Sequence, residues 1–180
     1  PLPSKLETDA QYKRMLLEAM DPGRLEAVHL GVAGHNLFDV ALAHRLIERR
    51  GLDPAAVEFE MLLGMATGQA AAVRADVGAL LLYTPVVRPE EFDVAISYLV
   101  RRLEENAESE NFMSGIFEIE PGNEIFRREE GRFRDAVEQL LQEGMVLDGE
   151  QAPGYSGDDL GLAAHDPPRR GGRRKRVQRQ

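Results

Sequence analysis

Tyr98, Arg101, Arg102 and Glu105 are the residues in this chain whose types and spacing suit chemistry best. Spaced i, i+3, i+4 and i+7, they fall on one stripe of a helix that advances about 100° per residue. Two adjacent guanidiniums offer permanently charged, forked donors that suit a carboxylate, and Glu105 can pair with one of them to hold it in place. On the same helix Phe92, Ile96, Leu99 and Leu103 form a separate apolar stripe, well away from the first. A solvated helix with one salt bridge would give the same pattern, so the residues alone leave both readings open.

The elements around this stripe read as strand–helix units. Leu80, Leu81, Leu82 and Tyr83 show no alternation, so a strand over residues 80–84 is predicted to be covered on both faces, as in a parallel sheet. Pro85 and Pro89 make the turn, and Glu90 and Glu91 suit the positive end of the following helix. Upstream, residues 27–33 read as a strand and Gly34-His35-Asn36 as the turn at its carboxyl end. A helix follows over 37–50, with Leu37, Val40, Ala41, His44, Leu46 and Ile47 inward and Gly51 as its stop. Residues 57–63 form a second strand, followed by Gly64 and a helix over 69–77. Three units starting roughly 25–30 residues apart imply parallel strands. Without a Gly-x-Gly-x-x-Gly turn, they favour a (β/α)8 barrel of the TIM type over a dinucleotide-binding sheet. Before them, Thr8 is predicted to cap a helix over 9–20 with Tyr12, Met15, Leu16 and Ala19 inward. After them come a short helical turn near Phe112 and a charged helix over 124–144, with Phe126, Phe133, Val137, Leu140 and Leu141 as its apolar side.

A closed barrel needs about 250 residues. This chain has 180, its regular units end by Asn106, and its first residue is Pro. The expectation is the C-terminal half of an α/β barrel over 1–120, a helical extension over 121–147 and a disordered Gly/Pro/Arg-rich tail over 148–180, with the amino-terminal half of the barrel on sequence not present here. The absence of Cys excludes disulfides and thiolate ligands, and the four His show no metal-ligand spacing, so no metal is expected. No Gly-x-Ser-x-Gly elbow occurs. Glu58 and Glu60 share one strand face, where solvent or a basic partner explains them better than a glycosidase pair. The net charge is -9 although seven basic residues from Arg169 to Arg179 contribute +7, which leaves -16 on residues 1–167 and argues against a nucleic-acid partner.

Two stretches, Tyr-x-Pro-Val at 83–86 and Tyr-Leu-Val-Arg-Arg-Leu-x-Glu-Asn at 98–106, resemble the last strand and helix of the flavin-dependent proline dehydrogenase barrel. That barrel is also the first enzyme domain of bifunctional proline utilization A proteins. His35-Asn36 resembles the family's Thr-His-Asn turn, with Gly34 in place of Thr, which removes a hydroxyl. The stretch from Glu58 to Met65 resembles the family's Glu-Phe-Gln-x-Leu-x-Gly-Met strand, and Lys5 precedes Thr8-Asp9 much as the Lys of a Thr-x-Lys segment does. The resemblance covers about residues 5–144. It implies oxidation of L-proline to 1-pyrroline-5-carboxylate by FAD, with electrons passed to a quinone, in a cytoplasmic parent that touches the membrane peripherally and could carry an aldehyde dehydrogenase domain. It further implies that Arg101 and Arg102 clamp the proline carboxylate, that Glu105 orients an Arg, and that Tyr83 and Tyr98 wall the pocket. Leu62 would lie under the isoalloxazine, with His35, Asn36 and Lys5 near the cofactor. The chain alone is expected to be inert. The rival reading is a non-catalytic barrel-derived interaction fragment whose basic tail binds a polyanion.

The contrast between an acidic, periodic body and a patternless basic end predicts the course of limited proteolysis. Trypsin should remove the Arg-rich end first and leave a core ending near Gly144; a tail as protected as the helices would contradict it.

Overall fold

The computed structural model describes residues 2–145 of the protein. The expected tail over 148–180 lies outside these residues. In chain order the elements are helices α1 (Lys5–Ala19) and α2 (Pro22–Leu25), strand β1 (Leu30–Ala33), helix α3 (Leu37–Arg50), strand β2 (Val57–Leu62), helix α4 (Thr67–Val77), strand β3 (Leu81–Tyr83), and helices α5 (Phe92–Ala107) and α6 (Glu124–Gln142). Single 3₁₀ turns at Pro54–Ala56, Pro89–Glu91 and Phe112–Gly115 connect them.

Local chemistry fixes most of the boundaries. The Asn36 side chain accepts from the Phe38 amide at 3.1 Å to start α3. Gly51 stops that helix in the left-handed region, at φ 60°, where a Cβ would be strained. Asn123 caps α6 in the same way as Asn36 caps α3, accepting from Phe126 at 2.8 Å. Helix α1 begins earlier than the expected residue 9. Its cap is Ser4, which accepts from the Glu7 amide at 3.1 Å, while Thr8 sits inside the first turn and donates to the Ser4 carbonyl. Met15 points outward at 62% exposure, against the expectation, and Lys13 takes a core position beside Leu16 and Leu17.

The strands form one parallel sheet in the order β1-β2-β3, with Leu30 opposite Val57, Glu60 opposite Leu81 and Leu62 opposite Tyr83. Sequential parallel neighbours joined by α3 and α4 give an arc of the expected architecture. The arc has three strands among the described residues, and no closed eight-stranded barrel is seen there. One face of the sheet is covered: Val32, Val57, Phe59 and Met61 pack in a single core with Leu16 and Leu17 of α1, Met20 just after it, Val40, Ala43, Leu46 and Ile47 of α3, and Ala70 and Val73 of α4. The other face carries Gly31, Ala33, Glu58 and Leu81, all exposed. A Cβ at Gly31 would come within 2.4 Å of the Glu60 carboxylate, so any larger residue there would make that side chain swing aside. The prediction that residues 80–84 are covered on both faces is therefore not met. Leu81 and Leu82 are each 44% exposed and Tyr83 39%, since β3 is the edge of this sheet and helices cover only one side.

Helix α6 belongs to the same packing. Ala136 and Leu140 join the main core against α1, while Phe133 and Val137 join a second cluster with Phe38, Phe112 and Ile116. Between these clusters lies a pair that composition gives no reason to expect. Lys13, only 1% exposed, places Nζ 2.8 Å from Asp39 Oδ1 in the first turn of α3. Burial pushes the Asp39 carboxyl up from the usual carboxylate range, with Lys13 opposing. Tyr12, beside Lys13, is pushed up to about 12 by burial first and by the Asp39 carboxylate second.

Removing one partner of a buried pair leaves an uncompensated charge. Asp39→Ala is expected to cost about 3–5 kcal/mol, read as a fall in the urea midpoint at unchanged slope. A change below about 1 kcal/mol would show that the pair is solvated.

Candidate functional site

Parallel strands present all their carboxyl ends on one edge, and the candidate residues gather at that edge. Gly34 N donates to the Glu60 carbonyl at 3.1 Å as the ladder's last bond between β1 and β2. The next amide on β2, that of Leu62, donates instead to His35 Nε2 at 3.1 Å. On the other side Leu63 N donates to the Tyr83 carbonyl at 2.8 Å. His35, Leu62 and Tyr83 thus stand in a row across three strand ends.

The bond to Leu62 fixes the state of His35. Nε2 accepts, so the ring proton of the neutral imidazole is on Nδ1. That Nδ1 is buried with no partner among the described residues. Burial lowers the His35 pKa, which favours the neutral ring. The result is a preset donor beside an apolar residue, Leu62, which is itself only 4% exposed.

Helix α5 crosses the ends of β2 and β3. Its middle is held where Tyr98 hydrogen-bonds Tyr83. Near its carboxyl end Asn106 Nδ2 donates to the Met65 sulfur at 3.3 Å, in the loop after β2. Ala95 is its buried residue. The Arg102 guanidinium lies 5.5 Å from the centre of the Tyr98 ring, and its Nη2 is 2.7 Å from Glu105 Oε1. The Arg102 Nε is buried without a partner among the described residues. Burial raises the Tyr83 pKa, Tyr98 raises it further, Arg102 opposes this, and Glu60 adds to the rise. Tyr83, Tyr98, Arg102 and Glu60 therefore share one electrostatic neighbourhood above the sheet.

Helix α5 turns its Tyr98–Arg102–Glu105 side to the strand ends. The apolar stripe of Phe92, Ile96 and Leu103 is turned outward: Phe92 is 63% and Leu103 59% exposed, with Leu99 half-buried. The tethers to Tyr83 and Met65 lie on the polar side, so that side turns to the strand ends and the apolar side turns away from them. Tyr98, Arg102 and Glu105 are brought together as the spacing suggests. Arg101 is exposed at the margin and makes no ion pair among the described residues. Asn36 uses its Oδ1 to cap α3. Lys5 makes no hydrogen bond or ion pair with the row. It pairs with Asp9 in the first turn of α1, and its charge is felt at Asp39. Met65 and Asn106, which dock the helix, fall within stretches recognisable in the sequence but carry no signal there of meeting each other.

An apolar platform at Leu62, a donor at His35 Nδ1 and an ordered guanidinium at Arg102 suit a flat ring with acceptor edges next to a small carboxylate. Residues 2–115 match the family model of proline dehydrogenase, and the chain belongs to that family. Among solved structures it is similar to Proline Utilization A (PutA) from Corynebacterium freiburgense, at 43% identity and a TM-score of 0.62. The likeness covers 79% of this chain and 13% of that one, so the protein spans a small part of its neighbour's length. No curated protein sequence matches the chain.

The His35 geometry has a pH consequence. A depressed folded pKa contributes stability that is present above the unfolded value near 6.5 and is lost as pH falls through the folded pKa. Protonation also consumes the lone pair that receives the Leu62 amide. An NMR titration should show the His35 ring and the Leu62 amide shifting together below pH 6.5; a Leu62 amide indifferent to His35 protonation would break the link.

Proposed function

We propose that this chain forms part of a flavin-dependent site that oxidises L-proline to 1-pyrroline-5-carboxylate, with a quinone as final acceptor. The observation that carries the reading is the continuity of Arg102, Tyr98 and Tyr83 with the His35–Leu62 pair at one sheet edge. In this reading FAD supplies the acceptor for a hydride from the proline ring carbon next to nitrogen. The protein's part is to hold the substrate and the ring in register. Arg102, braced by Glu105 and stacked on Tyr98, receives the carboxylate, and Arg101 at the margin adds a second fork. Tyr83 and Tyr98 form a neutral polar wall. Leu62 supports the flavin ring, and His35 Nδ1–H offers its donor to the ring's acceptor edge. Asn36 contributes through the cap that sets the His35 turn, with Lys5 at the periphery. None of these residues is placed as a general base.

The parent is proposed to act in the cytoplasm, with peripheral membrane contact for quinone exchange. No helix among the described residues is long and apolar enough to cross a membrane. The exposed stripe of Phe92, Ile96 and Leu103 favours a second reading, a non-catalytic interaction segment.

Substitutions that keep charge but lose the fork separate the two. In the intact enzyme carrying these residues, Arg102→Lys and Arg101→Lys are each expected to lower kcat/KM by about 2–4 kcal/mol, mostly through a raised KM for proline. Unchanged proline kinetics in both variants would remove the carboxylate assignment and leave the interaction reading.

A further inference from the structure

Lys13 is the most deeply buried charged side chain among the described residues, and nothing in the proline reading uses it. Its partner Asp39 stands in the first turn of α3, four residues after His35. Phe133 of α6 touches both sides of that turn. Its ring centre is 4.8 Å from Lys13 Nζ and 5.8 Å from the ring of Phe38, which also packs against Phe112 and Phe126. Helix α6 lies beyond the family-matched segment, which ends at residue 115.

We propose that Lys13, Asp39 and Phe133 are positioning residues that hold the His35 turn at the strand ends and act on the site through it; the functional part of this inference rests on the flavin reading above. His35 is joined to β2 by one side-chain hydrogen bond, to Leu62 N, and precedes a helix whose first turn carries the Asn36 cap, Phe38 and Asp39. Apolar contacts tolerate small slips at little cost, because dispersion is not directional. A buried ion pair does not, since displacement from its partner exposes each charge to the full desolvation penalty. The Lys13–Asp39 pair therefore fixes the first turn of α3 against α1 more sharply than the surrounding side chains can. Phe133 seals the pair with its ring face and presses Phe38 from the other side. A slip of this turn would draw His35 Nε2 away from Leu62 and turn Nδ1 off its line.

Amide exchange resolved to single residues, measured on the intact enzyme before FAD is added, reads the link directly. Two variants are compared, Phe133→Leu and the double variant Lys13→Met/Asp39→Leu, which removes both charges and keeps the volume apolar. In each, exchange at the Leu62 amide is expected to rise about tenfold or more while the Leu46 amide in the middle of α3 keeps its protection. Phe133→Tyr, which keeps the ring, should retain wild-type exchange at Leu62. Unchanged Leu62 exchange in both variants would overturn the proposal. So would a joint loss at Leu62 and Leu46, which assigns the trio to global stability alone. A second arm adds FAD and expects roughly tenfold weaker binding in the two variants. If the unmodified enzyme takes up no FAD, the flavin reading fails, and the exchange comparison still decides the positioning claim.

Discussion

The amide of Leu62 marks the place where the parallel ladder gives way to a site. A strand amide in the interior of a sheet is satisfied by the next strand, and up to Glu60 that rule holds, with Gly34 donating to the Glu60 carbonyl. Leu62 then donates to a side chain, His35 Nε2, in place of continuing the ladder with backbone. One substitution of acceptor does three things. It satisfies a buried donor, it fixes the histidine tautomer, and it leaves a proton on Nδ1 with no partner among the described residues. A buried donor is costly without a partner, and one this close to a strand end is within reach of an ordered water.

Helix α5 depends on the same edge. A helix that simply followed β3 in a strand–helix repeat would lie along the sheet and bury its apolar stripe. Here its polar tethers run to the strand ends and to the loop after β2, through Tyr98 and Asn106. The polar stripe is turned inward as a consequence, and Phe92, Ile96 and Leu103 remain uncovered among the described residues. A few polar tethers at fixed points decide the orientation, against the direction that hydrophobic patterning alone would choose.

That competition explains what can be read from the sequence. Helix α3 is legible to the residue because its signals are local: an Asn cap, a Gly stop and an apolar periodicity between them. The three parallel strands are legible from spacing, although β1 and β3 are shorter than their apolar runs. The cluster of Tyr98, Arg102 and Glu105 follows from helical geometry alone. What is not legible depends on partners distant in sequence. Leu81 lies on the face without helices and Leu82 on the covered face of an edge strand, and no run of leucines reports either. The start of α1 escapes a reading by residue type because Ser4 and Thr8 are equally good caps, and only the Glu7 contact separates them.

Lys13 is the clearest case of information that residue type conceals. A lysine is among the side chains least often fully buried, so Met15 is the natural choice for the inner face of α1. Both sit on α1, two residues apart, and the core takes the charged one because Asp39 and the face of Phe133 meet it there. The exchange has a structural reason in where α1 must go. Its inner face meets α3 at the end nearest the strand ends and α6 along its length, through Ala136 and Leu140. A methionine at that junction would fill the space but would leave Asp39 without a counter-charge in a position where burial already raises its pKa. The first turn of α3, the turn that delivers His35, is thereby tied to a helix that precedes the sheet and to another that follows it, and the strand-end row inherits its alignment from both.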